Sequence, residues 1–237
     1  MKRKLILATI MTMVLVCSMQ ADAALTTIGQ AQYGGQNYNM IWDNDSPFGS
    51  LIWLDYTKSA TNWQNQVNWA AGLNSGGVLT YNIAPTYNVT WGGNWRLPST
   101  VDGLFVYGND GATTGGYNIT SSEMGHLFHT ELGNKGYLST TGVYQPDYGL
   151  KNKGSFTNMQ PYVYWSGTQY AANTNLEWYF DSGYGIQATN SKSSNFYALA
   201  VRPGLAVAVV PEPVSMVLFG VGGVVLVARR MVLRRRG

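Results

Sequence analysis

Two apolar runs bound this chain, and the body between them holds no cysteine. The first run, LILATIMTMVLV, follows Lys2, Arg3 and Lys4 and precedes Ala21-Asp22-Ala23. A basic start, a short apolar core and a small-x-small step form the pattern of a cleaved export signal, so residues 1–23 are expected to leave after Ala23. An uncleaved anchor needs a longer apolar run. A lipoprotein signal needs a small residue before its cysteine, and Val16 precedes Cys17. Cys17 is the single cysteine and departs with the signal. The exported body therefore cannot be stapled by disulfides and has to fold on its core alone.

Residues 24–204 form one domain of ordinary size, long enough for such a core. The formal charge of +3 and the pI of about 8.9 belong to the chain ends. Between Ala24 and Val210 seven Lys and Arg stand against ten Asp and Glu, so the body is near −3. Nucleic acid, heparin-like polymers and anionic membranes are poor partners for it. All eight tryptophans lie in this body, and the many Gly, Asn and Tyr point to a loop-rich, β-containing extracellular fold. Tyr and Trp serve either a core or a sugar-stacking surface, and composition does not separate the two.

Local patterns predict three helices. Trp63, Val67, Ala70 and Leu73 share a helical face, with Gly76-Gly77 beyond its end. Ser99 is placed to cap a short helix carrying Leu104 and Phe105. Thr120 and Glu123 have capping-box spacing before a face of Met124, Leu127, Phe128 and Leu132, with Gly133 as C-cap. Strands are expected at 51–54, 78–82, 163–169, 176–181 and 196–203, and YGNDGATTGGYN reads as a surface loop. Helices early and in the middle, strands mainly late, is an α+β order.

NWRLPSTVDGL, YWSGTQY, EWYFDSG and ALAVRPG follow one another in this sequence. In that order they resemble the Lcl C-terminal domain family, and LIWLDYTKSATNWQNQVNWAAGLN is similar to its upstream segment. The resemblance covers most of residues 40–204. It implies a single C-type lectin-like domain, similar in outline to sulfatase-modifying folds. Such a domain has a mixed or antiparallel sheet, two to three short helices and a buried Arg-Leu-Pro segment. The motif residues Trp95, Arg96, Leu97, Pro98, Tyr164, Trp165, Ser166, Trp178, Phe180, Gly183 and Arg202 carry structural roles by that resemblance. Ser99 stands where the family has Thr, Gly103 separates Asp102 from Leu104, and the cysteines of some members are absent.

The second apolar run, Val214 to Ala228, is fifteen residues long and ends in five arginines. As a helix it rises only about 22 Å against a hydrocarbon core of roughly 30 Å. Pro211-Glu212-Pro213 stands before it. Motif, span and arginines together resemble the PEP-CTERM sorting signal, which implies processing by an integral-membrane exosortase and a link to exopolysaccharide. The prolines stop helix from running into the domain. Arg229, Arg230, Arg234, Arg235 and Arg236 hold the end in the cytoplasm by the positive-inside bias. A span that is to be cut off need only dwell in the membrane. Residues 205–237 are thus read as the sorting segment, with the transmembrane helix at 214–228.

The chemistry is sparse. Glu123, His126 and His129 share helical spacing and are the candidate metal set, with Glu131 nearby, but no third ligand stands at recognisable spacing and the expectation is a solvated or core-edge histidine pair without metal. Gln145-Pro146-Asp147 is a tripeptide also found in calcium loops, but a calcium cage needs six to eight oxygens. Asp43, Asp45 and Asp55 could pair for acid–base work on a glycoside. No nucleophile elbow, phosphate loop or Ser-His-Asp setting is present. Arg96 and Arg202 read as structural guanidinium ties, with Arg96 buried. The expected protein is exported and exosortase-processed, first at the inner membrane and then on the cell surface or in the matrix. It is non-catalytic, uses no cofactor, and touches neutral polysaccharide or matrix proteins. The alternative is an extracellular glycan-active enzyme using loop carboxylates.

Overall fold

The pair Gly34-Gly35 sets the first element. In the computed structural model, which describes residues 25–209, both glycines take positive φ, +55° and +80°. This is the two-residue hairpin turn whose twist suits antiparallel strands, and side chains with a Cβ resist it. It joins β1 (Thr26–Tyr33) to β2 (Gln36–Asp43), and β3 (Leu51–Thr61) continues the meander. Strands therefore open the domain, where the sequence pattern showed only 51–54. The export signal, the Pro211-Glu212-Pro213 motif, the apolar span and the arginine cluster lie outside the described residues.

Helix α1 (Trp63–Gly72) forms as the spacing predicts. Asn62 caps it by accepting from the Asn65 amide at 3.0 Å, and Ala70 is buried against Leu97, Trp165 and Ala198. The buried Gln66 donates at 2.8 Å to the carbonyls of both Ser59 and Phe196, which ties the helix to two strands. β4 (Thr80–Ile83) then pairs with the outer edge of β1, and β5 (Tyr87–Trp91) with the end of the last strand.

The helix expected after Ser99 does not form. Ser99, the expected cap, is held instead by Glu123, to which its amide donates at 2.7 Å, and Asp102 accepts from Trp178 Nε1 at 2.8 Å and from the Ala171 amide. Leu104 is 73% exposed. The chain leaves the body at Thr100 and returns at Ser122, where the two form an isolated bridge. Within that excursion β6 (Tyr107–Gly108) and β7 (Gly115–Tyr117) pair in parallel, so the expected loop is partly sheet.

Helix α2 (Glu123–His126) is capped by Ser122, not Thr120; its hydroxyl accepts from the Gly125 amide at 3.0 Å. The helix continues as a π-helical turn, Leu127–Glu131, and ends at Gly133 with φ +62°. Met124, Leu127, Phe128 and Leu132 are all buried.

The remaining strands are β8 (Val163–Gln169), β9 (Leu176–Asp181), β10 (Ile186–Ser191) and β11 (Phe196–Ala208). The sheet order is β4-β1-β2-β3-β11-β8-β9-β10-β7-β6, with β5 on the far end of β11. Pairing is antiparallel except for β11 with β8 and β6 with β7. The fold is mostly sheet with two short helices, a strand-rich α+β architecture. Among the described residues no helix is long and apolar enough to cross a membrane.

β11 organises the whole. It pairs with β3 as far as Pro203 and with β5 from Gly204 to Ala208, past the 204 boundary read from sequence. Pro203, which has no amide to donate, sits where the strand changes partner. On β3, Leu51 and Trp53 enter the core under α2, while Ile52 and Leu54 enter the core that holds Trp95. The sheet is thus covered on both faces, which is why LIWL reads as a continuous apolar run and not an alternating one.

Candidate functional site

Most of the motif residues named from the sequence lie in the frame. Trp95, Leu97, Pro98, Tyr164, Trp165, Ser166, Trp178 and Phe180 are buried. Arg96 pairs its backbone with Val201, and Pro98 accepts from the Ser166 hydroxyl and the Gly167 amide, so this segment joins β11 to β8. Gly183 donates to Asp181 Oδ1 in the turn after β9. Arg202 lies over the Trp91 ring, 4.1 Å from its centroid, and donates to the Gly93 carbonyl.

Arg96 departs from expectation in being half-exposed, with 39% of its side chain accessible. It ties fewer carbonyls than expected: one guanidinium contact goes to Leu97 O, and a bidentate pair at 2.6 Å goes to Glu123. Glu123 Oε2 also accepts the Ser99 amide at 2.7 Å. With both oxygens occupied, Glu123 is a structural counter-ion and not a ligand.

His129 separates from the candidate metal set as well. Its Nδ1 meets the Asn134 carbonyl at 3.2 Å, and burial pushes its pKa down to about 4, so the ring is neutral. Asp55 is buried and accepts from Thr157 and Asn158, which pins the 157–158 turn to β3. It does not pair with Asp43. Asp147 meets Lys135 at 2.6 Å on the surface, and Gln145 donates to the Gly136 carbonyl, so that tripeptide shapes a loop.

What the fold does bring together is Asp43, His126 and Glu131, whose ligand-type atoms all lie within 4.8 Å of one another. Asp43 is the last residue of β2, held in register opposite Leu51. His126 and Glu131 are five apart, which on an α-helix would set them about 140° apart around the axis. The π-helical turn from Leu127 to Glu131 adds a residue to that turn and lets Glu131 Oε1 reach within 3.1 Å of His126 Nε2. Gly125 allows this helix to sit close: a Cβ there would stand 2.0 Å from the Ile119 carbonyl. Burial, then the neighbouring Glu131, pushes Asp43 up to about 7, against a long 3.5 Å bond from Trp53 Nε1. Glu131 is raised too, by burial and then Asp45.

On another part of the surface tyrosines gather. Rings of Tyr137, Tyr144, Tyr148 and Tyr184 lie 4.9–6.0 Å apart, with Tyr148 and Tyr184 stacked at 24°. Tyr117 extends the row from Tyr137, and Tyr107 extends it again. Tyr144 is 53% and Tyr184 49% exposed. Backbone bonds hold the rings in place: Tyr137 N donates to Tyr184 O at 2.8 Å, and Gln145 N to Tyr137 O at 3.0 Å. Beside them a groove of about 560 Å³ runs between Pro146, Lys151 and Pro161. Sequence composition announced many tyrosines but not their convergence, because they come from β6, β7 and two separate turns. Comparison of the chain with protein-family models, with curated proteins and with solved structures gives no match.

Proposed function

We propose that the chain is an exported surface or matrix module of the Lcl C-terminal, C-type lectin-like kind. It holds neutral polysaccharide, or a matrix protein of that layer, on its tyrosine face and does not turn it over. The observation that carries this reading is the tyrosine cluster, with Tyr144 and Tyr184 exposed, Tyr137 and Tyr148 half-buried between them, and fixed backbone bonds behind. Tyrosine offers a flat apolar ring with a polar tip and little side-chain entropy to lose, which suits a sugar face and its hydroxyls. The low charge of the body accords with a neutral ligand.

Delivery rests on the chain ends. After signal removal the Val214–Ala228 span holds the protein in the inner membrane, and exosortase recognises Pro211-Glu212-Pro213 and releases the domain to the surface or matrix. The rival reading, a glycan-active enzyme, gains little from the carboxylates. Asp55, on β3, is buried and held by bonds from the 157–158 turn, and Asp43 is 1% exposed.

The test is to incubate the secreted protein with its producer's exopolysaccharide and measure both retention and new reducing ends. Retention without new reducing ends is expected; release of reducing ends would establish the enzyme instead. Intact mass of the secreted form should lack everything beyond the Pro-Glu-Pro region, and an attached arginine tail would overturn the sorting account.

A further inference from the structure

We infer that Asp43, His126 and Glu131 form a divalent-cation site of the Zn²⁺ type, a place on the molecule separate from the tyrosine face. The donor set is one imidazole nitrogen and two carboxylates, with Asp45 close enough to act electrostatically on both acids. Imidazole with carboxylate suits Zn²⁺, and Mn²⁺ less well; Ca²⁺ prefers an all-oxygen shell.

Geometry and unmet bonding both support it. Ligands sharing an ion at about 2.0–2.2 Å stand roughly 3–4 Å from one another, so donors within 4.8 Å need only small side-chain movements to close on one. Asp43 is 1% exposed, yet its Oδ1 has no hydrogen-bond partner. His126 Nε2 is also buried and, although 3.1 Å from Glu131 Oε1, makes no hydrogen bond of acceptable angle. Buried polar atoms left this way are uncommon and call for an explanation.

The competing arrangement is a plain His126–Glu131 ion pair. It accounts for Nε2 but leaves Asp43 Oδ1 orphaned, with Asp43, Glu131 and Asp45 gathered around a single imidazole. A cation answers both. The donors also ride on framework, the end of β2 and the π-helical turn, so an ion here would fasten the first meander to α2.

Calorimetric titration of the metal-stripped full chain with ZnCl₂, and separately with MnCl₂ and CaCl₂, tests this. One Zn²⁺ per chain is expected, bound more tightly than Mn²⁺ and far more tightly than Ca²⁺. Asp43→Asn and His126→Gln should each weaken Zn²⁺ binding by about 100-fold or more, while Asp110→Asn, an exposed turn carboxylate, leaves it unchanged. Thermal melts of the metal-free variants report whether each folds. If one does not, imidazole ¹⁵N spectra of the unmutated chain decide: Zn²⁺ should move the His126 signals and leave those of His129 in place. Zn²⁺ binding no tighter in the unmutated chain than in Asp43→Asn, tighter binding of Ca²⁺, or a response at His129 alone would overturn the assignment.

Discussion

Glu123 is 2% exposed, and its charge is met by a half-exposed guanidinium that starts 27 residues away in sequence. Removing Arg96 leaves a buried carboxylate with only the Ser99 amide and water at its edge. We predict that Arg96→Ala lowers unfolding free energy by about 2–3 kcal/mol in denaturant titration, less than for a fully buried pair because Arg96 is partly solvated. Glu123→Gln in the same chain should recover part of that loss. At the same scale, burial pushes Tyr164 and Tyr117 up to about 12. A phenol whose folded pKa exceeds its unfolded value near 10 contributes stability that is complete below pH ~10 and is lost as pH rises through ~12. Near-ultraviolet titration should therefore show a late-ionising tyrosine class that disappears on prior unfolding. Ionisation of every tyrosine at the unfolded value would contradict the burial of these two rings.

Elements differed in how far they could be read from local pattern. β8 and β9 fall where the apolar and aromatic runs put them, and α1 forms on its Trp63–Val67–Ala70–Leu73 face. β1 was hidden because Gly29 interrupts it and only Ile28, Ala31 and a few partly buried side chains face inward; its stability comes from two neighbours, β2 and β4. The false helix after Ser99 shows the opposite failure. The local cap at Ser99 lost to long-range bonds, its own amide to Glu123 and Asp102 to Trp178, 76 residues apart. The acid–histidine cluster was half legible: His126, Glu131 and Asp43 were each named, but their grouping depends on a π-helical turn and on the long-range placement of the end of β2, which no local spacing announces. Two glycines test this level. Gly34→Ala meets open space and suffers only from its positive φ, an expected loss of about 1 kcal/mol. Gly125→Ala drives a Cβ into the Ile119 carbonyl, so its melting temperature should fall much further and α2 should shift. Equal melting temperatures for the two variants would mean that α2 does not sit as closely as described.

For the molecule as a whole, charge and chemistry are spread thin. Arg96, Lys135 and Lys192 are paired with Glu123, Asp147 and Glu177, and Arg202 stacks on Trp91. Lys58, Lys151 and Lys153 remain without ion pairs among the described residues, too few for a steeply salt-dependent grip on a sulfated polymer. With no cysteine between Ala24 and Val210, this part of the chain should melt at the same temperature with and without reductant. A shift would mean that Cys17, and with it the export signal, is still attached. The most direct measurement is the affinity of the secreted protein for its producer's neutral exopolysaccharide, compared among the unmutated chain, Tyr144→Ala and Tyr184→Ala. These rings are about half exposed, so folding should survive while binding weakens by about tenfold or more, the loss of roughly 1.4 kcal/mol. Unchanged affinity in both variants, or tight heparin binding that collapses with added salt, would contradict the tyrosine face as the ligand surface.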